Sequence, residues 1–127
     1  MKYDEQEIRK SITLMKPDNE LFEIRILEGK QNYSGYFRDV DTFLKALRTM
    51  RISECNVYIT LNNVKEACYS RDQRDCFIKN ANPNTSDTDI FCYDWLMIDI
   101  DPVRPSGTSS SDVEICLAQN KANAVYT

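Results

Sequence analysis

The sequence predicts an α+β (mixed α/β) domain in which helices pack on a small mixed sheet, and residues 1–127 are expected to form one domain. Two patterns indicate this class. Apolar and charged residues alternate over Leu21–Leu27, as in a half-buried strand. Apolar residues recur every three or four positions over Val40–Met50, as in an amphipathic helix. The whole chain reads as helix, strand, strand, helix, strand, helix, loop, strand, helix.

The front of the chain predicts a helix followed by a β-hairpin. Apolar residues at helical spacing predict a helix over Asp4–Met15, which Pro17 ends. Leu21–Leu27 is the first strand, with Phe22, Ile24 and Ile26 alternating against Glu23 and Arg25. Gly29 marks a turn, and Asn32–Phe37 is expected to pair with the first strand.

The middle of the chain predicts two helices and a strand between them. Asp39 or Asp41 is placed to cap the helix over Val40–Met50. Asn56–Leu61 is the next strand of the sheet, and Val64–Phe77 is expected to be helical.

A polar loop over Asn80–Asp89 is the longest irregular segment that the sequence predicts. Loops beside a strand end often carry function. Two interpretations of Thr85 and Ser86 stay open here: they touch a nucleotide, or they belong to a plain surface loop.

The stretch that follows combines an apolar run with two acidic residues. Trp95–Ile98 followed by Asp99 and Asp101 predicts a buried strand with acid at its C-terminal end, and the sheet is expected to include Tyr93–Asp101. Since side chains alternate along a strand, the two aspartates would share one face, with Cα atoms roughly 6.6 Å apart. Pro102 ends the strand because it cannot donate to a ladder.

A helix is expected to open just after this strand. Ser111 with Glu114 three residues later is a capping-box pattern, which starts a helix near residues 109–111. The unpaired N–H groups of its first turn would face the same corner as the two aspartates.

Two like charges on one strand face repel each other, so a cation is expected between Asp99 and Asp101. Mg²⁺ or Mn²⁺ is the natural candidate, because paired carboxylates hold these ions in phosphoryl- and nucleotidyl-transfer sites. Arg104 and the helix N-terminus would then hold a phosphate group. The alternative is a turn in which the Asp side chains cap backbone N–H groups and face water.

The amino-acid composition limits the classes of function that this chain can have. With 42% hydrophobic and 28% charged residues, the chain is typical of a folded globular protein. Its net charge of −4 argues against a surface built wholly for gripping nucleic acid, and permits mimicry of nucleic acid towards a basic partner. No run approaches the roughly 20 apolar residues of a membrane span, and the charged N-terminus lacks a signal peptide. A cytoplasmic protein with no membrane partner is therefore expected.

Several kinds of catalytic site are excluded by the residues that the sequence lacks. The chain contains no histidine, which rules out Ser-His-Asp and Cys-His catalysis. No P-loop motif is present. The five cysteines are odd in number and include no C-x-x-C pair, so they are expected to be free thiols rather than zinc ligands.

The segment WLMIDIDPVRPSGTSSSDVE, Trp95 to Glu114, resembles the first catalytic motif of the archaeo-eukaryotic primase superfamily, in the form found in phage and plasmid primase-polymerases. Gly35-Tyr36-Phe37, Val57–Asn62 and Thr85–Ile90 are also similar to that family. The resemblance covers roughly residue 21 to the end, and its acidic motif is the most specific part.

The resemblance implies a division of roles among the residues of this motif. Asp99 and Asp101 would be the catalytic, metal-binding carboxylates. Arg104, Ser106 and Thr108 would lie beside them and bind the nucleotide phosphates. Enzymes of the superfamily also use a histidine and a further acidic residue downstream. Because the chain lacks both, it resembles the front part of such a catalytic domain with half an active site.

Two functions of different class follow. In the first, the chain is the N-terminal part of a primase or primase-polymerase that binds nucleoside triphosphate and nucleic acid with a divalent metal, and is inactive by itself. In the second, it is a stand-alone primase remnant of a mobile element that acts as a non-enzymatic binding protein. An inhibitor that docks on a host protein complex, such as a CRISPR-type defence complex, is one example. A dimeric module that completes its site by self-association is a third possibility.

Overall fold

The computed structural model describes residues 3–51 and 53–126, and the chain divides into two units, Met1–Trp95 and Leu96–Thr127. The regular elements of the first unit are α1 (Glu5–Met15), β1 (Phe22–Glu28), β2 (Gln31–Phe37), α2 (Val40–Thr49), β3 (Asn56–Ile59), β4 (Asn63–Val64), β5 (Ile78–Lys79) and β6 (Ile90–Cys92). Short 3-10 helices span Glu66–Ser70 and Asp87–Asp89. The second unit contains α3 (Asp112–Tyr126).

Within the described residues, the main sheet has four antiparallel strands in the order β3-β1-β2-β5. The β1-β2 hairpin turns at Gly29, whose φ of +58° is a left-handed conformation that glycine adopts without a Cβ clash. In this register Ile24 lies opposite Gly35 on one side and Ile59 on the other. β4 pairs separately with β6.

One face of the sheet is apolar and carries the main core. Phe22, Ile24 and Ile26 point to this face because strand side chains alternate, and they pack against Phe43 and Leu44 of α2. Each such side chain contributes about 1.5–3 kcal/mol when it is fully buried. The other buried members of this cluster are Ile12, Phe37 and Leu47.

The opposite face of the sheet is largely polar. Glu23 and Ser34 lie there, and both are almost fully buried. A smaller apolar cluster, in which Tyr36 packs with Leu21 and Cys68, covers part of this face. The sheet is therefore covered on both faces, but by different chemistry.

Gly35 allows the segment after the first 3-10 helix to approach β2 closely. A Cβ atom at this position would lie 2.7 Å from the carbonyl oxygen of Cys76 and 2.7 Å from the ring of Phe37. Since those distances are far below van der Waals contact, any side chain at Gly35 would push the backbone apart.

The starts of α1 and α2 are fixed by aspartate caps. The Asp4 side chain accepts hydrogen bonds from the backbone N–H groups of Gln6 and Glu7, at 2.8 and 3.2 Å. The Asp39 side chain accepts from the backbone of Thr42 at 2.8 Å. Both helices are confirmed near the predicted bounds, and Asp39 is the cap of the second.

The helix predicted over Val64–Phe77 is wrong. The chain forms β4 and the 3-10 helix Glu66–Ser70 instead, and then runs beside β2. There the Tyr36 N–H donates to the carbonyl of Gln73, and the Asp75 N–H donates to the carbonyl of Tyr36, both at 2.9 Å. These long-range hydrogen bonds replace the i to i−4 bonds of a helix.

The buried strand predicted over Tyr93–Asp101 is also wrong. The segment has no regular secondary structure, and Leu96 and Met97 are 85% and 76% exposed. A strand needs a neighbour for its backbone N–H and C=O groups, and within residues 3–51 and 53–126 no strand pairs with this segment. The apolar pattern alone therefore did not produce a strand.

The α+β class is confirmed, since helices pack on a small sheet that contains the predicted strands β1, β2 and β3. The sheet is antiparallel rather than mixed; among the described residues, the parallel contact is the single bridge between Tyr36 and Arg74. The helix predicted after Ser111 is confirmed as α3. Among the described residues no cysteine forms a disulfide, in agreement with the expected thiols.

Replacing Leu44 with alanine should lower the free energy of unfolding by about 2–5 kcal/mol, because Leu44 is fully buried in the main core. Leu14→Ala is the matched control, since that side chain is 69% exposed. Its effect should stay within about 0.5 kcal/mol. Urea unfolding followed by circular dichroism measures both; equal effects would contradict the position of the core.

Candidate functional site

Asp99 and Asp101 lie in the second unit, in the irregular segment that precedes α3. Both side chains are exposed. Among the described residues, neither carboxylate has a hydrogen-bonding or ion-pair partner. The alternative in which these aspartates cap backbone N–H groups is therefore not what the structure shows, although both do face water. Their oxygens are available to a ligand from solution.

The loop after the acidic pair is folded by its own polar contacts. The Arg104 Nη1 atom donates to the Ser110 hydroxyl at 2.8 Å, which holds the guanidinium close to the start of α3. The Thr108 hydroxyl donates to the carbonyl of Pro105 at 2.7 Å. Ser106 is exposed in the same loop. Of the two hydroxyls, Ser106 is the one whose proton is still available for a phosphate.

The start of α3 is closed by a capping box, as the sequence predicts. The Ser111 N–H donates to a carboxylate oxygen of Glu114 at 2.8 Å, and the Glu114 N–H donates back to the Ser111 hydroxyl at 3.4 Å. Donation from the Ser111 backbone lowers the pKa of the Glu114 carboxyl. A negative charge is thus fixed at this helix start, so a phosphate there would meet a carboxylate. The positive charge of Arg104 suits a phosphate better than this helix start does.

Asp101 and Glu114 also line one small cavity of about 170 Å³, together with Lys121. The ammonium of Lys121 is a positive charge that partly offsets the two carboxylates. Asp99 is not among the residues that line this cavity. Within residues 3–51 and 53–126, no group of three or more His, Cys, Asp or Glu side chains is placed to hold a metal ion. Water or a nucleotide phosphate would have to supply the remaining ligands of a metal at Asp99 and Asp101.

A second polar centre lies in the first unit, around the fully buried carboxylate of Glu23. Its Oε1 atom accepts from the Ser34 hydroxyl at 2.6 Å and from Nε of Arg25 at 3.0 Å. Its Oε2 atom accepts from the backbone N–H of Thr85 at 3.2 Å. Arg25 returns a hydrogen bond to the carbonyl of Thr85. These contacts tie the polar loop to the sheet.

The network continues from Thr85 to the second 3-10 helix. The Thr85 hydroxyl lies 3.0 Å from the hydroxyl of Tyr36, which also accepts from Arg71 at 2.6 Å. Arg71 forms an ion pair with Asp89 at 3.0 Å. Burial raises the pKa of the Tyr36 phenol. The hydrogen bond from the Ser86 backbone N–H lowers the pKa of the Asp89 carboxyl. The Arg71–Asp89 ion pair is therefore charged at neutral pH.

A solvent-open pocket of about 270 Å³ lies between the polar face of the sheet and the loop at residues 85–87. It is here called the sheet pocket. Besides Glu23, its polar lining consists of Arg25 and Tyr58 from the sheet, Thr60 just after β3, and Thr85, Ser86 and Asp87 from the loop. The alternating sequence pattern predicts Glu23 and Arg25 only as the outer side of a half-buried strand. The available signal was an opposite-charge pair two residues apart on one strand face, together with an unusually long polar loop.

No protein-family model, curated protein or solved structure matches this chain significantly. Of the helices in the part of the chain that the structure describes, none has both the length and the apolar character to cross a membrane.

Replacing Glu23 with glutamine should destabilise the first unit by about 1–3 kcal/mol, because an amide cannot accept from every donor that surrounds this buried carboxylate. Hydrogen exchange at the Thr85 amide should accelerate, since that amide donates to Oε2 of Glu23. Urea unfolding and amide-exchange NMR measure the two effects.

Glu66→Gln is the matched control, because Glu66 pairs with Arg38 on the surface. Its cost should be at most about 1 kcal/mol, and exchange at Thr85 should not change. A Glu23→Gln variant that resembled this control in both measurements would show that the buried network does not hold the loop.

Proposed function

We propose that the chain is part of a primase-type, metal-dependent nucleotidyl-transfer domain in which Asp99 and Asp101 bind Mg²⁺ or Mn²⁺. The observation that carries this proposal is a pair of exposed carboxylates, two residues apart, with no partner among the described residues. The adjoining loop holds Arg104, Ser106 and Thr108 within the same short segment. This agrees with the resemblance of Trp95–Glu114 to a primase motif.

The donor atoms fit the proposed ions. Carboxylate oxygens are the ligands that Mg²⁺ and Mn²⁺ prefer, and Mg²⁺ sites commonly use one or two carboxylates together with water and substrate phosphate. Asp99 and Asp101 are the residues that would hold the ion. A metal bound there would polarise phosphate oxygens and help to activate the attacking hydroxyl.

Arg104 would bind a phosphate of the nucleoside triphosphate or of the nucleic acid. Its Nη1 atom is held by Ser110, which reduces the mobility of a long side chain and turns the guanidinium towards the loop. Guanidinium groups form strong, often bidentate hydrogen bonds with phosphate. Ser106 supplies a hydroxyl donor, and the Thr108 hydroxyl, which donates to Pro105, supplies an acceptor and shapes the loop.

A second candidate function is a non-enzymatic binding protein, for example an inhibitor that docks on a host protein complex. The apolar surface of the second unit favours it. Leu96, Met97 and Val103 are between 76% and 92% exposed, and α3 buries none of its described residues. Where such exposed apolar residues form one contiguous patch, the patch is typical of a contact with another protein. Under this function the two aspartates have no chemical role.

Calorimetric titration of Mn²⁺ separates the two candidates. The wild-type chain should give saturable heat, and the Asp99→Asn, Asp101→Asn double variant should give none, because its amides carry no charge to attract the ion.

An Asp18→Asn, Glu20→Gln double variant is the control for the titration. It also removes two negative charges that are two residues apart, but in another part of the chain. It should bind Mn²⁺ as the wild type does. Indistinguishable heats from the wild type and the Asp99, Asp101 variant would overturn the metal site and leave the binding-protein function as the better candidate.

A further inference from the structure

The sheet pocket has binding groups that neither the fold nor the proposed metal chemistry uses. Arg25 donates through Nε to Glu23 and through Nη2 to Thr85, while its Nη1 atom has no partner among the described residues. The Thr60 hydroxyl accepts from the Glu23 N–H at 2.9 Å, and its own proton is left to donate. The pocket therefore presents fixed donors rather than flexible surface groups.

Tyr58 gives the pocket an aromatic wall. It lies directly opposite Arg25 in the register of β1 and β3, so the two side chains share the polar face of the sheet. Tyr58 is 53% exposed, and within residues 3–51 and 53–126 its hydroxyl has no hydrogen-bonding partner. β3 is one of the two edge strands of the sheet, so among the described residues no strand covers its side away from β1.

Charge and size both limit what the pocket can take. Its charged lining groups are two carboxylates, Glu23 and Asp87, and one guanidinium, Arg25. With one more carboxylate than guanidinium, the lining has a net negative charge, and a phosphate inside the pocket would be repelled. The volume of about 270 Å³ is below the roughly 300–1,000 Å³ of pockets for drug-sized ligands. A small, neutral, flat ring with both hydrogen-bond donors and acceptors fits these limits.

We propose that the sheet pocket binds one unpaired base of a single-stranded nucleic acid. The base stacks on the ring of Tyr58, its acceptor atoms take hydrogen bonds from Nη1 of Arg25, and its amino or imino group donates to the carboxylate of Asp87. The sugar-phosphate backbone stays outside, at the open side of β3. The choice of nucleic acid as the ligand rests on the proposed function, whereas the pocket and its chemistry do not.

Fluorescence anisotropy of a labelled single-stranded DNA 10-mer, in buffer with EDTA, tests this. Tyr58→Ala should weaken binding by about five- to 150-fold, the range for losing one base-aromatic stack. Tyr58→Phe keeps the ring and should bind within about twofold of the wild type. Tyr93→Ala, which removes another exposed tyrosine of the first unit, is the control and should have no effect.

Two further probes identify what the pocket recognises. A 10-mer with abasic sites throughout should bind no better than Tyr58→Ala binds the normal strand. A free nucleoside monophosphate should compete only weakly, because a strand offers many bases to one pocket. Equal affinity of the wild type and Tyr58→Ala, or of the normal and abasic strands, would overturn the proposal.

EDTA keeps this test separate from the metal site. If Tyr58-dependent binding is present but Mn²⁺ gives no saturable heat, the proposed function fails and the base pocket stands. If Mn²⁺ binds through Asp99 and Asp101 but the Tyr58 variants bind alike, the base pocket fails and the metal site stands.

Discussion

The buried carboxylate of Glu23 is the constraint on which the polar half of the first unit depends. A charge without partners in a protein interior costs several kcal/mol, so its surroundings must supply donors. Ser34 comes from the neighbouring strand, Arg25 from the same strand, and the Thr85 N–H from a loop 62 residues later. Satisfying one carboxylate therefore fixes the position of a long loop that has little apolar surface of its own.

The period of two along β1 lets one strand serve two purposes. Phe22, Ile24 and Ile26 hold the helices on one face, while Glu23 and Arg25 hold the loop on the other. Because the main apolar core lies on the first of these faces, the polar face can keep an open pocket without losing that core. Replacing the polar pair with apolar residues would fill the pocket and remove its ligand-binding groups.

Local patterns predicted local structure well. The alternation in β1 and the aspartate cap of α2 involve residues only a few positions apart, and both are confirmed. The capping box of Ser111 and Glu114 is also confirmed, because its two residues are only three positions apart.

What the sequence could not predict is structure that depends on distant partners. Within the segment 64–77, Gln73 and Asp75 bond to Tyr36 of β2 instead of to helical neighbours. Among the described residues, no strand pairs with the apolar run before Asp99. The Glu23 network was missed because nothing near Glu23 in the sequence points to Thr85. The spacing was enough to find the acidic pair. It could not predict that both side chains are exposed and have no hydrogen-bonding partner among residues 3–51 and 53–126.

The two proposed sites lie in different units and use opposite chemistry, one for a metal ion and phosphates, the other for a neutral base. Amide NMR spectra of the ¹⁵N-labelled wild-type chain test this division most directly, with a single-stranded DNA 10-mer added in EDTA and Mn²⁺ then added in excess. We expect the DNA to shift the amides of Arg25, Tyr58 and residues 85–87, and Mn²⁺ to broaden those around Asp99 and Asp101. Shifts centred on residues 96–111 before metal is added, or Mn²⁺ broadening spread evenly over the acidic surface, would contradict the division.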